Sequence, residues 1–235
     1  MVSRLLTRWK NAPSSEALLL GAGLAFCVCV WLFLWVADEV GEREHQATEE
    51  KWMLALRNPQ NPAEPIGPKG LEEVARDISA LGGATVIILM SVLVSGHLLL
   101  QGRWRQVLLL ALTIAGGHGL SHGLKALYHR ERPAVVPHLA YVDSASFPSG
   151  HSLSSSVVYL TMAALLAQSA LRRREKVYLM AIAFGLTFLI GFSRVFLGVH
   201  YPTDVLAGWS AGTAWALACW VGTARLRREP QKAET

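Results

Sequence analysis

Residues 17–37 read ALLLGAGLAFCVCVWLFLWVA, an apolar run of about 21 residues that contains no charged side chain. An α-helix needs about 20 such residues to cross a hydrocarbon core about 30 Å thick, so this run is long enough to span a membrane. It is also longer than the hydrophobic segment of a secretory signal peptide, and we therefore interpret it as an uncleaved membrane anchor. This stretch predicts that the chain folds in a lipid bilayer.

Five further apolar stretches pass the same length test, at about 78–100, 106–124, 152–171, 177–197 and 203–223. Lipid offers no partner for open backbone groups, so each stretch must be helical. The sequence therefore predicts an all-α, polytopic membrane protein with six transmembrane helices. Six spans of about 20 residues use about half of the chain, so we expect residues 1–235 to form a single membrane-embedded domain. A hydrophobic content of 52% excludes a disordered chain.

Basic residues are concentrated in alternate connections between the predicted spans. Thirteen of the 22 lysines and arginines, but only four acidic residues, lie in segments 1–16, 101–105, 172–176 and 224–235. By the positive-inside rule these segments face the cytoplasm, so both termini are predicted to be cytoplasmic. The net charge of +5 is thus an orientation signal. It forms no basic face on a soluble module, and we expect no nucleic-acid partner.

The connection 38–77 is acidic, contains four prolines and is too polar to span a membrane. We predict that it is an outer loop with a short amphipathic stretch at the interface, around Trp52–Leu56. At the other end of the chain, residues 225–235 are charged and are predicted to form a mobile cytoplasmic tail.

Cations gather at the predicted outer ends of the spans. Lys125 ends the third span, Arg132 follows it, and Arg194 closes the fifth. Positive charge near a bilayer is costly unless an anion neutralises it, and arginine matches the oxygens of a phosphate group. Ser149 and Gly150 lie where the fourth span begins, so the positive end of a helix dipole lies at the same depth in the membrane as these cations. The residues therefore predict a phosphate-binding site.

Two histidines at the same level suggest chemistry at that site. His200 precedes the sixth span and Asp204 lies in its first turn, so the carboxylate is placed to orient the imidazole and keep one ring nitrogen basic. His151 lies on a different helix and is free to act as a general acid. One histidine is thus predicted to attack phosphorus and the other to protonate the leaving oxygen.

Three sequence blocks contain these residues: Lys125-(six residues)-Arg132-Pro133, Pro148-Ser149-Gly150-His151, and Ser193-Arg194-(five residues)-His200-(three residues)-Asp204. In order and spacing they resemble the signature of the type-2 phosphatidic acid phosphatase family, which vanadium haloperoxidases and bacterial non-specific acid phosphatases share. The resemblance implies a lipid phosphatase that forms a phosphohistidine and needs no metal or other cofactor. The implied substrates are undecaprenyl diphosphate, phosphatidic acid or phosphatidylglycerophosphate.

The resemblance also implies a role for each signature residue. His200 would be the nucleophile, Asp204 its orienting partner and His151 the general acid that later activates water. The phosphoryl oxygens would be held by Lys125, Arg132, Ser149, Gly150 and Arg194. The site would face the outside of a bacterial-type inner membrane.

Alternatives remain open from the sequence. A phosphotransferase would pass the phosphoryl group to another lipid, such as lipid A, and a lipid binder or transporter would do no chemistry. A vanadate-dependent peroxidase is disfavoured by the six spans. His118 and His122, spaced i and i+4, suit either a metal or the lining of a pocket, and we favour the lining because no third ligand is apparent. We interpret His129 and Arg130 as solvated loop residues.

Overall fold

The computed structural model describes residues 14–42, 45–68, 70–169 and 172–226. Most of them are helical, which confirms the main part of the predicted fold class. The helices are α1 (Ser14–Glu42), α2 (Gln46–Ala55), α3 (Leu71–Ala80), α4 (Ala84–Leu100), α5 (Trp104–Tyr128), α6 (Gly150–Ala167), α7 (Arg173–Phe196) and α8 (Pro202–Leu226). The all-α prediction missed one small antiparallel hairpin, formed by β1 (Arg57–Asn58) and β2 (Asn61–Pro65).

Within the described residues, α1, α5, α6, α7 and α8 are each long and apolar enough to cross a membrane. The predicted span 78–100 is instead divided between α3 and α4, which are bent by 51° relative to each other, so a sixth span requires counting this pair as one. The break falls at Gly82 and Gly83, because glycine is a poor helix former. A Cβ on Gly82 would lie 2.5 Å from Ile190 and 3.3 Å from His151, so the break also lets α7 and α6 approach closely.

Helix α6 forms the centre of the bundle, and 12 of its 18 residues are buried. It packs against α5, α7 and α8. The approach of α8 is close because Gly208 and Gly212 face the α6 backbone: a Cβ there would lie 2.7 Å from the Ser149 carbonyl oxygen and 2.5 Å from that of Leu153. The large exposed apolar side chains lie mainly on α1, α4 and α7, which therefore present the lipid-facing surface.

The connection between the first two spans has more structure than the sequence indicated. It contains α2 and the hairpin and leads into α3, the first helix of the bent pair. Helix α2 turns Glu49 and Met53 inward so that both are buried. Arg57, in β1, is also buried and donates a hydrogen bond to the Phe196 carbonyl oxygen at 2.9 Å. Residues 45–80, most of which belong to the loop predicted to lie outside, are called the outer segment below. The outer segment therefore packs onto the region where α7 ends and α8 begins.

The end of the chain differs slightly from the prediction. Helix α8 continues to Leu226, so the first two residues of the predicted tail 225–235 are helical. Residues 227–235 of that tail lie outside the described part of the chain, as do residues 1–13 of the predicted N-terminal segment.

Candidate active site

Four helix ends meet at one end of the bundle: the last turns of α5 and α7 and the first turns of α6 and α8. The Ser149 backbone N–H donates to the Asp204 carbonyl oxygen at 2.9 Å, which joins the starts of α6 and α8. His151 lies within electrostatic range of four other predicted site residues, Arg194, His200, Lys125 and Arg132. The structure thus brings together residues that are separated by up to 79 positions in sequence (204 − 125).

His200 and Asp204 are both buried, and the contacts of the carboxylate set the orientation of the imidazole. Asp204 Oδ2 lies 3.4 Å from His200 Nδ1 and accepts hydrogen bonds from the Tyr201 backbone N–H, at 2.9 Å, and from the Ser146 hydroxyl. A carboxylate accepts only, so Nδ1 carries the proton and Nε2 keeps its lone pair. This is the tautomer that a nucleophilic imidazole requires.

The other ring nitrogen of His200, Nε2, accepts a hydrogen bond from a cation. Nε2 lies 3.3 Å from Nη1 of Arg132, which is held by hydrogen bonds to the carbonyl oxygens of Val199 and Ser144 at 2.6 and 2.8 Å. Burial lowers the pKa of His200 to about 4, although Asp204 acts to raise it, and the charge of Arg132 lowers it further. At neutral pH the imidazole is therefore uncharged, with its lone pair on Nε2.

Two further cations complete this cluster. Lys125 donates to the Ser144 hydroxyl at 3.3 Å and to the Ala145 carbonyl oxygen. Arg194 is buried and donates to the Ser79 hydroxyl at 2.6 Å, but its Nε has no hydrogen-bond partner among the described residues. A buried guanidinium N–H needs an acceptor, and a phosphate oxygen is one that matches its charge.

The start of α6 contributes the dipole of the helix N-terminus, and the Ser149 hydroxyl there acts as an acceptor in both of its hydrogen bonds. The Ser149 side chain accepts from the Ser152 hydroxyl at 3.0 Å and from its N–H at 3.5 Å, so Ser149 is the N-cap of the helix. A Cβ on Gly150 would lie 3.6 Å from Cε of Lys125, which places the first residue of the helix directly beside the lysine. The helix N-terminus and the lysine thus face the same space.

The prediction that Arg130 is a solvated loop residue is wrong. Far from being solvated, its guanidinium pairs with Asp204 at 2.7 Å and with Glu49 at 2.8 Å and lies 4.1 Å from the ring centroid of Tyr201. Burial acts to lower the pKa of Arg130, but Asp204 and Glu49 outweigh burial and raise it. Arg130 lies two residues before Arg132 in the first sequence block, and this position could have indicated a role at the site. No sequence pattern indicates a role for Glu49.

An open cavity of about 850 Å³ continues from the cation cluster into the bundle between α4, α5 and α6. Lys125 and His151 line its end at the cation cluster, and Leu99 lines it near the C-terminal end of α4. His118 and His122 also line it, with ring centroids 4.4 Å apart. Within the described ranges no group of three histidine, cysteine or acidic residues is arranged to hold a metal ion.

Comparison with known proteins gives a consistent result. A family model described as the PAP2 superfamily matches residues 106–228. A phosphatidylglycerophosphatase B of Bacillus subtilis is 34% identical over 145 residues, covering 60% of this chain and 70% of that protein. An undecaprenyl-diphosphatase of the same organism is 29% identical over 153 residues, covering 59% and 72%.

A solved structure extends the similarity to the fold. The crystal structure of a transmembrane PAP2 type phosphatidylglycerolphosphate phosphatase from Bacillus subtilis superposes with a TM-score of 0.76 at 29% identity. The superposition covers 87% of this chain and 98% of that one. Most of the chain thus shares the fold of a known membrane phosphatase.

Proposed function

Because the chain belongs to the PAP2 superfamily, the family of type-2 phosphatidic acid phosphatases, we propose that it hydrolyses a lipid phosphate or diphosphate through a phosphohistidine. The observation that carries this proposal is the arrangement of His200. Its Nδ1 faces a buried carboxylate, and its Nε2 points toward a cluster of cations at the mouth of a membrane-embedded cavity. A nucleophile, a phosphate site and a place for lipid are thus adjacent.

In the first step Nε2 of His200 attacks phosphorus, and the bond from phosphorus to the lipid oxygen breaks. His151, entering this step protonated, donates its proton to that oxygen and becomes neutral. The developing charge on the phosphoryl oxygens is stabilised by Lys125, Arg132, Arg194 and the N-terminus of α6. Asp204 stabilises the positive charge that forms on the imidazole of His200.

In the second step water replaces the histidine. Neutral His151 accepts a proton from water, the resulting hydroxide attacks phosphorus, and the phosphorus–nitrogen bond breaks. Inorganic phosphate leaves, His200 regains its lone pair and His151 is again protonated. In both steps the developing charges are stabilised by side chains and by the N-terminus of α6, so we propose that no metal or other cofactor takes part.

The lipid part of the substrate is proposed to occupy the cavity between α4, α5 and α6, whose deeper lining is mostly apolar. Candidate substrates are phosphatidylglycerophosphate, undecaprenyl diphosphate and phosphatidic acid; the first two are the lipids that the names of the two Bacillus subtilis relatives indicate. The asymmetry of basic residues supports an orientation in a bacterial-type inner membrane with both termini cytoplasmic and the site outside.

A phosphate-release panel tests the proposal. We expect purified protein in detergent to release inorganic phosphate from at least one of the three candidate lipids when no other lipid is present. Water is then the only acceptor. If labelled phosphate appears only in an added acceptor lipid such as lipid A, the protein is a phosphotransferase. If no phosphate is released or transferred, a binder or transporter is favoured.

Removal of metal ions tests the proposed absence of a cofactor. We expect the rate of phosphate release in excess EDTA to stay within about twofold of the untreated rate, because no step uses a metal-bound water. The rate is measured on the best lipid of the panel, with a metal-dependent phosphatase treated in parallel as control. Loss of activity that added zinc or magnesium restores would instead indicate a metal site at His118 and His122.

A further inference from the structure

Both carboxylate oxygens of Asp204 accept hydrogen bonds, but only Oδ2 faces His200, the proposed nucleophile. Oδ2 receives the Tyr201 N–H and the Ser146 hydroxyl and faces His200. Oδ1 points away from the imidazole and accepts a hydrogen bond from Nη1 of Arg130 at 2.7 Å. No part of the Asp204 side chain is exposed to solvent. The direction in which its carboxylate points is therefore determined jointly by the α8 turn and by Arg130.

Arg130 is in turn held by the outer segment. Its Nη2 donates to Oε2 of Glu49 at 2.8 Å, and Glu49, on α2, is only 2% exposed. The other carboxylate oxygen of Glu49 accepts from the backbone N–H and hydroxyl of Thr203, at 2.8 and 2.7 Å. The Thr203 hydroxyl also accepts from Nη1 of Arg130 at 2.8 Å. Glu49, Arg130, Thr203 and Asp204 thus form a closed network, called the acidic clamp below.

The charges of the acidic clamp suit the proposed reaction. Glu49 and Asp204 contribute two negative charges and Arg130 one positive charge, so the clamp keeps a net charge of −1 beside His200. The imidazole becomes positive when it bonds to phosphorus, and a net negative neighbour stabilises that state. Without the charge of Glu49, the pair formed by Arg130 and Asp204 would be neutral overall and would stabilise the imidazolium less well.

We propose that Glu49 is a positioning residue for catalysis, acting through Arg130 on Asp204 and so on the His200 nucleophile. The outer segment is then part of the catalytic apparatus as well as a connection between spans. This inference rests on the proposed function, because it assigns to Glu49 a part in the attack by His200. Glu49 has no contact with the cation cluster that would hold phosphate, so its effect is expected on kcat and not on KM.

The variant Glu49→Gln tests the proposal because it removes the charge and keeps the size of the side chain. We expect kcat to fall about ten- to a hundredfold while KM stays within about twofold, as for other residues that orient a reactive group. Glu50→Gln is the matched control: it makes the same charge change one residue away on α2, where Glu50 contacts Gln46 and not Arg130. This control is expected to keep full activity.

A double-mutant cycle separates positioning from simple support of the fold. If Glu49 acts through Arg130, then adding Glu49→Gln to Arg130→Gln should cause little further loss of kcat beyond the single Arg130 variant. All rates are referred to monodisperse protein recovered by size exclusion, so that misfolded material does not contribute. Losses that multiply, a rise in KM alone, or normal kcat in Glu49→Gln would each overturn the proposal.

The same assay distinguishes failure of this inference from failure of the proposed function. If wild type and Glu50→Gln release phosphate and Glu49→Gln does so equally well, the inference is wrong and the proposed function stands. If the wild-type protein neither releases nor transfers phosphate from any lipid in the panel, the proposed function is wrong, and the role of Glu49 falls with it.

Discussion

Replacement of His200 by alanine is expected to abolish phosphate release, lowering kcat by about four orders of magnitude or more. The reason is that Nε2 of His200 is the proposed nucleophile, and the proposed mechanism has no other side chain that attacks phosphorus. The folded state should survive, because Asp204 keeps its contacts with Arg130, Ser146 and the Tyr201 N–H. The measurement is phosphate release, together with trapping of labelled phosphate on the protein after an acid quench.

His97→Ala is the control for this experiment. His97 lies at the opposite end of α4 from the site, is exposed and forms a hydrogen bond with Gln101, so its loss should leave the rate unchanged. Should His200→Ala not fold, His200→Asn offers a second variant that still presents a donor toward Asp204. Turnover within tenfold of wild type, about 1.4 kcal/mol, or a label attached to a different residue, would rule out His200 as the nucleophile.

Asp204→Asn is expected to lower kcat by about three to four orders of magnitude with KM little changed. An amide has one oxygen and one NH₂ group, whereas both carboxylate oxygens of Asp204 accept hydrogen bonds, from Arg130 on one side and from the Tyr201 N–H on the other. If the amide oxygen faces Arg130, the NH₂ group faces His200 and draws the ring into the wrong tautomer. In the opposite orientation the NH₂ group faces the Arg130 guanidinium, and both of these groups are hydrogen-bond donors.

Either orientation of the amide also leaves a buried donor without an acceptor, at a cost of about 1–3 kcal/mol. A lower melting temperature is therefore expected alongside the loss of kcat. Asp77→Asn, on the exposed face of α3, makes the same change away from the site and should affect neither quantity. Near-normal turnover of Asp204→Asn would contradict the proposed orientation of the imidazole.

The catalytic residues could be predicted from the sequence, whereas the helix break and the hairpin could not. The His200 and Asp204 pair lies within one helical turn, and the three blocks have a characteristic spacing, so both are visible in the linear chain. The break at Gly82 and Gly83 was missed because the apolar run continues on its C-terminal side, and hydropathy alone does not register a bend. The hairpin was missed because β1 and β2 are short and polar.

The linear sequence by itself determined that this chain is a helical membrane protein and which side chains belong to the phosphatase signature. Both follow from local properties: the length of an apolar run relative to a bilayer, and residue spacing along single helices. Only the tertiary structure decided how those side chains are supported. Glu49 and Arg130 are 81 positions apart, and Arg194 and Ser79 are 115 apart. An acidic or hydroxyl residue that acts across such distances has no sequence pattern, because its partner is selected by helix packing alone.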